Sequence, residues 1–333
     1  NIGHMAGVAV PLHACEHFYI VTEAMPDLKA SLPVLRVPDE CAYYKEDAGK
    51  ILLGAFEPNS KPWGMNGIPE DFEFDSLPED FDHFEPILER AVERFPMLAT
   101  AGIQTFFNGP ESFTPDDRYI LGEAPELKNF FVAAGFNSVG IQSAGGAGMV
   151  LAEWMETGNA PIDLWDVDIR RMQPFQANRS YLQGRVSETL GLLYADHFPY
   201  RQFASARGVR RSPIHHYLVD QGACFGEAAG WERANWFAPK GASAEDHWSF
   251  RRSNWYEHVG NEVKNVTTNC GLLDMSAFAK CRIEGPGAEA FLENLVANKL
   301  PRKVGRVILA HALAPRGGVH SEFTIMREAE DSF

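Results

Sequence analysis

The sequence has 333 residues, a formal net charge of −15 and 45% apolar residues. A chain of this length usually exceeds one compact domain, so we expect two domains. The acidic charge argues against nucleic acid or an anionic membrane as a general partner, because like charges repel. No run of about 18 apolar residues occurs, so no membrane-spanning helix is predicted.

The five cysteines are widely spaced and form no Cys-x-x-Cys pair, which argues against a disulfide framework or a zinc site. The eleven histidines show no metal-ligand spacing, so no metal is expected. A reducing compartment fits this cysteine usage, either the cytoplasm of a bacterium or the mitochondrial matrix of a eukaryote. The sequence has no Met at position 1 and ends in a charged stretch, and we interpret both ends as cuts through a longer protein.

The first predicted elements are strands followed by one helix. Residues 17–22 are β-branched and aromatic and predict a strand. Residues 41–44 and 51–54 flank a turn and predict a β-hairpin. The stretch 57–80 is rich in Pro, Gly and acids and predicts a surface loop. Apolar residues recur at helical spacing over 84–95 and predict an amphipathic helix that the following proline ends.

The next elements surround two turns. Residues 102–107 predict a strand, and Asn-Gly-Pro at 108–110 predicts a turn after it. Residues 130–134 predict a short buried strand. A glycine-rich turn is expected over 135–148, leading into a helix that Gly158 ends.

The residue pattern of the sequence changes near residue 160, where acidic residues, apolar residues and arginines begin to alternate. We therefore predict a first domain over 1–160, a connecting segment over 161–232 with a helix at 186–194, and a second domain over 233–333. In the second domain, helices are expected at 257–267 and 287–296, and strands at about 270–275, 279–284, 306–313 and 319–326.

The glycine-rich segment Gly135–Gly148 is the strongest local signal. Glycines let the backbone approach a flat or anionic ligand closely. The helix that follows points free N–H groups and a positive dipole end at whatever lies on the turn, which suits the edge of a reduced flavin. The same residues also fit a tight turn packed between a strand and a helix, and both interpretations stay open.

A second motif runs from Asn108 to Asp116 and continues into Ile120–Gly122. Its turn residues would place Thr114-Pro115-Asp116 on a defined loop before a short apolar strand. From these residues alone an ordinary turn is the preferred interpretation.

These two motifs resemble known FAD-binding segments. The stretch 108–122 resembles the TPDGxPxxG signature of amine and amino-acid oxidases with the D-amino-acid-oxidase fold. Gly135–Gly148 resembles their FAD return loop. Residues 17–23, with 32–36 and the pair Tyr43-Tyr44, resemble the substrate sheet of dimethylglycine and sarcosine dehydrogenases. That family commonly has His-Gln-Tyr where this chain has His17-Phe18-Tyr19.

The second half of the chain resembles the rest of the same family. Residues 222–226 and 230–237 resemble its GAxFG…GWERxNWF junction, which simple amine oxidases lack. Residues 254–327 resemble the start of the glycine-cleavage T-protein, an aminomethyltransferase, through the segments 271–276, 285–288 and 317–319. Glu322 matches the position of the folate-site acid, which is usually Asp in T-proteins.

The resemblance implies an α/β and α+β fold. It would consist of the C-terminal part of a D-amino-acid-oxidase-like FAD domain, with its substrate sheet and FAD return loop, followed by the start of a T-protein-like folate-binding domain. The implied activity is FAD-dependent oxidative demethylation of dimethylglycine or sarcosine, with one-carbon transfer to tetrahydrofolate. The electron acceptor would be oxygen or an electron-transfer flavoprotein.

The same resemblance nominates site residues. The cofactor-binding candidates are Gly135, Phe136, Asn137, Ser138, Gly140, Ile141, Thr114 and Asp116. His17 and Tyr19 alternate onto one face of their strand and are the candidate amine-facing pair, since either can manage the amine proton. The alternative is a core His and Tyr packed between sheet and helix. Glu322 is the candidate folate-binding carboxylate, although a charged residue beside a glycine turn is commonly just exposed.

Two features keep other functions open. No GxGxxG follows a strand in this sequence, so the segment alone is expected to bind FAD poorly and to be inactive. The departure at Phe18 also fits a non-catalytic regulatory paralogue, similar to the regulatory subunit of pyruvate dehydrogenase phosphatase. A stand-alone aminomethyltransferase is disfavoured by the flavin-type motifs before residue 160.

Overall fold

The computed structural model describes residues 2–333 and divides the chain into two compact units, Asn1–Leu272 and Leu273–Phe333. The strands of the first unit are β1 (His13–Thr22), β2 (Leu35–Val37), β3 (Ala42–Asp47), β4 (Lys50–Ala55), β5 (Ile103–Phe113), β6 (Ile120–Glu123), β7 (Phe131–Ala134), β8 (Ala223–Ala228) and β9 (Trp231–Phe237). Its helices are α1 (Ile2–Met5), α2 (Phe81–Arg94), α3 (Gly140–Thr157), α4 (Arg179–Leu192), α5 (His215–Asp220) and α6 (Tyr256–Thr268). The second unit holds α7 (Ala288–Leu295), β10 (Val307–Leu313) and β11 (Val319–Met326).

The centre of the first unit is a five-stranded sheet with the order β2-β3-β4-β1-β5. All four pairings are antiparallel, and the β3–β4 hairpin is the one predicted from the sequence. Side chains alternate along each strand, so every strand contributes to both faces of the sheet. The strand predicted at 17–22 forms the last part of β1.

Helix α2 covers one face of this sheet. Asp80 begins it by accepting a hydrogen bond from the backbone N–H of His83 at 3.1 Å. Phe84 and Ile87 lie one turn apart on its buried side and pack against Phe18 and Leu53 in the largest core cluster. The amphipathic helix predicted at 84–95 is therefore confirmed, with an earlier start.

The turn predicted at 108–110 is wrong, because β5 continues through it. Asn108 pairs with Phe18, Gly109 with His17 and Pro110 with Glu16. Proline cannot donate a ladder hydrogen bond, but β5 is an edge strand, where that donor is not needed. The turn-like residues therefore lie within an edge strand of the sheet and do not end that strand.

The second predicted turn is only partly right. Strands β6 and β7 form a small antiparallel pair, as expected from 130–134. The turn that follows ends at Val139, and residues 140–148 already belong to helix α3. The glycines in this stretch disfavour a helix, and the packing of Ala147, Leu151 and Trp154 in a core cluster with Leu121 offsets that cost. Gly158 ends α3 in a left-handed conformation with φ +74°, as predicted.

The remaining helices and strands agree in part with those predicted from the sequence. Helix α4 packs through Val186 and Leu190 on the sheet face opposite α2, and the β8–β9 hairpin packs near α6. In the second unit, α7 packs on the β10–β11 hairpin, and the predictions at 287–296, 306–313 and 319–326 are confirmed.

Two strand predictions in the second domain are wrong. Residues 270–275 and 279–284 form no strand, and the one ladder contact they make is an isolated bridge between Glu284 and Ser332. Short apolar runs carry little information without a partner strand to pair with. No helix among residues 2–333 has the length and apolar character needed to cross a membrane.

Candidate functional site

The sheet face opposite α2 gathers aromatic and titratable side chains. His17 and Tyr19 from β1 both point to this face, because they are two residues apart on one strand. Tyr19 stacks on Phe107 of β5 with ring centroids 4.7 Å apart. Tyr43 of β3 lies on the same face, since it and Tyr19 both pair with Gly54. This face of the sheet is therefore lined by aromatic rings, and the imidazole of His17 lies among them.

Two glycines make room for these rings. A Cβ atom on Gly54 would lie 2.0 Å from the ring of Tyr43, and one on Gly109 would lie 2.7 Å from the ring of Phe107. Neither distance is possible for a real Cβ atom. Gly54 therefore lets the Tyr43 ring lie across the neighbouring strand β4, and Gly109 lets the Phe107 ring lie along its own strand.

The imidazole of His17 is mostly buried and lies near a carboxylate. Its side chain is 13% exposed, and its Nε2 atom lies 4.0 Å from a carboxylate oxygen of Glu111. Its Nδ1 atom is buried and has no hydrogen-bond partner among residues 2–333. Burial lowers the pKa of His17 below its ordinary value, and the nearby charges of Glu111 and Glu57 oppose this only in part. A neutral imidazole can accept a proton from a ligand.

Tyr43 belongs to the segment that resembles the substrate sheet, but the sequence did not identify it as a candidate site residue. Burial, helped by the neighbouring Tyr194, Glu111 and Tyr19, raises the pKa of Tyr43 to about 12. Its phenol therefore stays protonated and can donate or accept a hydrogen bond. The sequence feature that could have identified Tyr43 is the predicted hairpin, in which residue 43 pairs with residue 54. This pairing places Tyr43 on the same sheet face as Tyr19.

The turn after β7 is held by a side-chain brace. Gly135, Asn137 and Ser138 have positive φ angles of 62°, 47° and 62°. The amide oxygen of Asn137 accepts the backbone N–H of Thr114 at 3.0 Å, and its nitrogen donates to the Thr114 hydroxyl at 2.9 Å. Both residues are buried, so these two predicted cofactor contacts direct their side chains at each other. They shape the turn.

The other predicted cofactor residues divide into two groups. Phe136 stacks on Tyr119 at 5.0 Å, whereas the side chain of Ile141 is 99% exposed. Asp116 accepts two hydrogen bonds from Arg171, at 2.7 and 3.0 Å, and so anchors the segment that follows α3. A structural role is the simplest account of Asp116, while Ile141 is free to meet a ligand.

A groove of about 430 Å³ runs between the turn and β5. Its lining residues are Glu111, Ser112, Gly135, Phe136, Asn137, Ser138, Gly140 and Ile141. Six of the eight predicted cofactor residues thus meet at one place. The other two predicted cofactor residues, Thr114 and Asp116, are not among the residues that line this groove.

Helix α3 begins at this groove with its N–H groups uncapped. The first N–H groups of any helix lack acceptors within the helix, and the cap residue Val139 has no polar side chain to supply one. The first turn carries no acidic residue that would neutralise the positive dipole end. These donors fit the electron-rich edge of a flavin, so the residues present are compatible with one side of an FAD site.

Glu111 connects the groove with the aromatic face. The hydroxyl of Ser138 donates a hydrogen bond to the Glu111 carboxylate, and the same oxygen faces Nε2 of His17 at 4.0 Å. The turn at 135–139 and the strand that carries His17 are therefore linked through one carboxylate. The role of each residue toward a ligand stays a prediction.

Glu322 lies in the second unit, on β11. It pairs across the hairpin with His311, and its carboxylate oxygen is 3.1 Å from Nε2 of that residue. Its side chain is 59% exposed. The exposure leaves the carboxylate accessible to a ligand, and its folate-binding role stays a prediction.

Three family models match the chain in succession. The FAD dependent oxidoreductase model matches residues 1–154, and the FAD dependent oxidoreductase central domain matches 157–212. The GCVT N-terminal domain matches 214–333. The expected mixed fold, an oxidoreductase part followed by a T-protein-like part, is thereby confirmed.

Curated relatives match along the same length. The chain is 40% identical over 333 residues to the 4-methylaminobutanoate oxidase (formaldehyde-forming) of Paenarthrobacter nicotinovorans, covering 100% of the chain and 40% of the relative. It is 37% identical to the mouse pyruvate dehydrogenase phosphatase regulatory subunit, over 98% of the chain and 38% of that protein. It is 33% identical to mouse dimethylglycine dehydrogenase, over 100% of the chain and 39% of that protein. The chain therefore spans about 40% of the length of these relatives.

Proposed function

The chain belongs to the dimethylglycine and sarcosine dehydrogenase family of FAD-dependent oxidoreductases, in which the FAD domain precedes a GCVT domain, and on this premise we propose an activity. The whole protein oxidises the N-methyl group of an N-methylated amino acid with FAD and passes the one-carbon unit to tetrahydrofolate. The segment described here contributes the amine-facing sheet and one edge of the flavin site.

One observation carries this proposal. The neutral imidazole of His17 and the uncapped start of α3 border the same site, joined through Glu111. An amine oxidase needs a proton acceptor for the substrate nitrogen opposite a flavin whose ring is held by hydrogen-bond donors. His17 and the start of α3 support these two roles.

The chemistry of amine oxidation explains why a neutral His17 is useful. A protonated nitrogen has no lone pair to assist the loss of hydride from its methyl carbon. His17 takes the proton from the ammonium group of the bound substrate. FAD, when bound, accepts the hydride. Tyr19 and Tyr43 lie on the same sheet face as His17, and we assign their phenols to hold the substrate nitrogen or carboxylate in place by hydrogen bonds.

The substrate we propose is dimethylglycine or sarcosine. The electron acceptor is oxygen or an electron-transfer flavoprotein. For the folate step, we assign Glu322 to the amine side of tetrahydrofolate. Its family position and its exposed side chain support this assignment.

The test is anaerobic flavin reduction in the full-length protein. Dimethylglycine, sarcosine and 4-methylaminobutanoate are added separately, and the loss of oxidised-flavin absorbance is followed. Reduction by dimethylglycine or sarcosine supports the proposed substrate class. Reduction by 4-methylaminobutanoate alone keeps the N-methyl amine chemistry and overturns the assignment of a glycine derivative.

A regulatory role is the second candidate. The 37% identity to a phosphatase regulatory subunit over 98% of the chain favours it, as does Phe18 between His17 and Tyr19. Under this function, none of the three amines reduces the flavin of the full-length protein. The same experiment therefore separates the two candidates.

A further inference from the structure

Glu111 lies where the two sides of the site meet. It belongs to β5 and pairs directly with Cys15 of β1. Its side chain is 32% exposed and lines the groove beside the turn at 135–139. The sequence motifs gave it no role, because it follows residues that resemble a turn.

A single oxygen of this carboxylate makes both connections. It accepts the hydrogen bond of the Ser138 hydroxyl and faces Nε2 of His17 at 4.0 Å. The distance to His17 is too long for a direct hydrogen bond but short for a charge interaction. Nδ1 of His17 is buried on the other side of the ring, so Nε2 is the nitrogen that faces the open part of the site.

The charge of Glu111 acts on the titratable groups of this face. Its negative charge acts to raise the pKa values of His17, Tyr43 and Cys15. At His17 this effect opposes the larger lowering of the pKa by burial. The charged groups that act on the imidazole are Glu111 on β5 and Glu57 after β4, and the ring of Phe56 lies 4.9 Å from it. Glu57 is hydrogen-bonded to His83 at 3.2 Å. Glu111, in contrast, faces Nε2 of His17 directly at 4.0 Å.

We propose that Glu111 is a positioning residue that joins the flavin-facing turn to His17 and supplies the negative charge facing the imidazole after it takes up the amine proton. This inference rests on the proposed function. The proton leaves the ammonium nitrogen of the substrate and binds Nε2 of His17, and the nitrogen regains its lone pair. The step therefore ends with an imidazolium that faces the Glu111 side chain.

The arrangement has two separable consequences. The charge makes His17 a stronger base than burial alone would allow, because it stabilises the imidazolium. The hydrogen bond to Ser138 keeps the turn at a fixed distance from the imidazole, which preserves the geometry for hydride transfer. One substitution removes the charge, and another removes the hydrogen bond.

Glu111→Gln in the full-length flavoprotein removes the charge and keeps an acceptor for Ser138. The readout is the rate constant of anaerobic flavin reduction by dimethylglycine or sarcosine across pH. We expect the plateau to fall about tenfold and the acidic limb to move down by about one pH unit, because the pKa of His17 falls further without the carboxylate. An acidic limb that stays at its wild-type position would overturn the role of the charge.

Ser138→Ala is the matched control, since it keeps the charge and removes the hydrogen bond. We expect its acidic limb to coincide with that of the wild type, and its rate constant to fall about tenfold because the turn loses its fixed spacing. A wild-type rate constant would contradict the joining role. A shift of the limb equal to that of Glu111→Gln would assign the effect to structure and contradict the role of the charge.

A second measurement does not depend on amine oxidation. The rate at which diethyl pyrocarbonate labels His17 follows its neutral fraction, and mass spectrometry reports it peptide by peptide. We expect the labelling midpoint of Glu111→Gln to lie at lower pH than that of the wild type. Equal midpoints, or a His17 that resists labelling at every pH while surface histidines react, would overturn the inference. Failure of all amines to reduce the wild-type flavin would instead overturn the proposed function alone.

Discussion

The two faces of the central sheet are built from the same strands but serve different purposes. The face toward α2 is filled by apolar side chains such as Phe18, Ile20 and Leu53, all almost fully buried. The opposite face carries His17, Tyr19 and Tyr43, with glycines that make room for rings, and Nδ1 of His17 is buried there with no hydrogen-bond partner within residues 2–333. Strand alternation thus lets one element stabilise the fold on one side and hold a reactive group on the other.

The largest expected effect tests the stabilising face. Phe84→Ala opens a cavity beneath α2, where Phe84 is fully buried, and should lower the free energy of unfolding by about 3–5 kcal/mol. The matched variant Phe107→Ala lies on the opposite face, where its side chain is 36% exposed, and should cost less than about 1.5 kcal/mol. Urea denaturation of the full-length protein, followed by tryptophan fluorescence, measures both. Equal losses would show that the two faces do not differ.

The next effect tests the reactive face. His17→Gln removes the proposed proton acceptor and should slow anaerobic flavin reduction about 100-fold, while the flavin absorbance spectrum stays close to that of the wild type. Stopped-flow absorbance measures the rate. Phe18→Leu, on the opposite face of the same strand, should leave that rate within about twofold because it changes packing only. A His17→Gln variant with wild-type reduction would remove His17 from the chemistry.

A smaller effect tests the role of glycine under the aromatic rings. Gly54→Ala places a methyl group in the space of the Tyr43 ring and should lower the free energy of unfolding by about 1–3 kcal/mol. Gly260→Ala, in α6 with open space around it, is the control and should be neutral or stabilising by up to about 1 kcal/mol. Denaturation curves of both variants decide. A harmless Gly54→Ala would mean that Tyr43 does not lie across β4.

The smallest effect is a dependence of stability on pH. The pKa of His17 is lowered in the folded state, so below its ordinary value of 6.5 the unfolded chain binds a proton that the folded chain does not. Stability is therefore present above this value and is lost as pH falls from there toward the folded pKa, by at most about 1.4 kcal/mol per pH unit. Glu111→Gln should increase this loss, and His17→Gln should reduce it. Denaturation at pH 7 and pH 5.5 measures the difference, and identical differences in all three proteins would contradict the assignment.

The sequence was most informative where local signals and pairing agreed. The hairpin at 41–54 and the amphipathic helix that Pro96 ends were predictable, because a turn or a proline fixed their limits. The continuation of β5 through 108–110 was not, since an edge position in a sheet cannot be read from one strand. Glu111 was not identified for the same reason, and Tyr43 was assigned to the sheet only through the resemblance. Their positions on the sheet face of His17 depend on cross-strand register, which is a property of several strands at once.

The central claim is that the turn at 135–139 and the strand bearing His17 close on the same flavin ring. A crystal structure of the full-length protein with its FAD tests this most directly. We predict that one edge of the ring meets the N–H groups at the start of α3 and that Nε2 of His17 faces the ring across the substrate space. A flavin ring that lies away from either of these two elements would contradict the account.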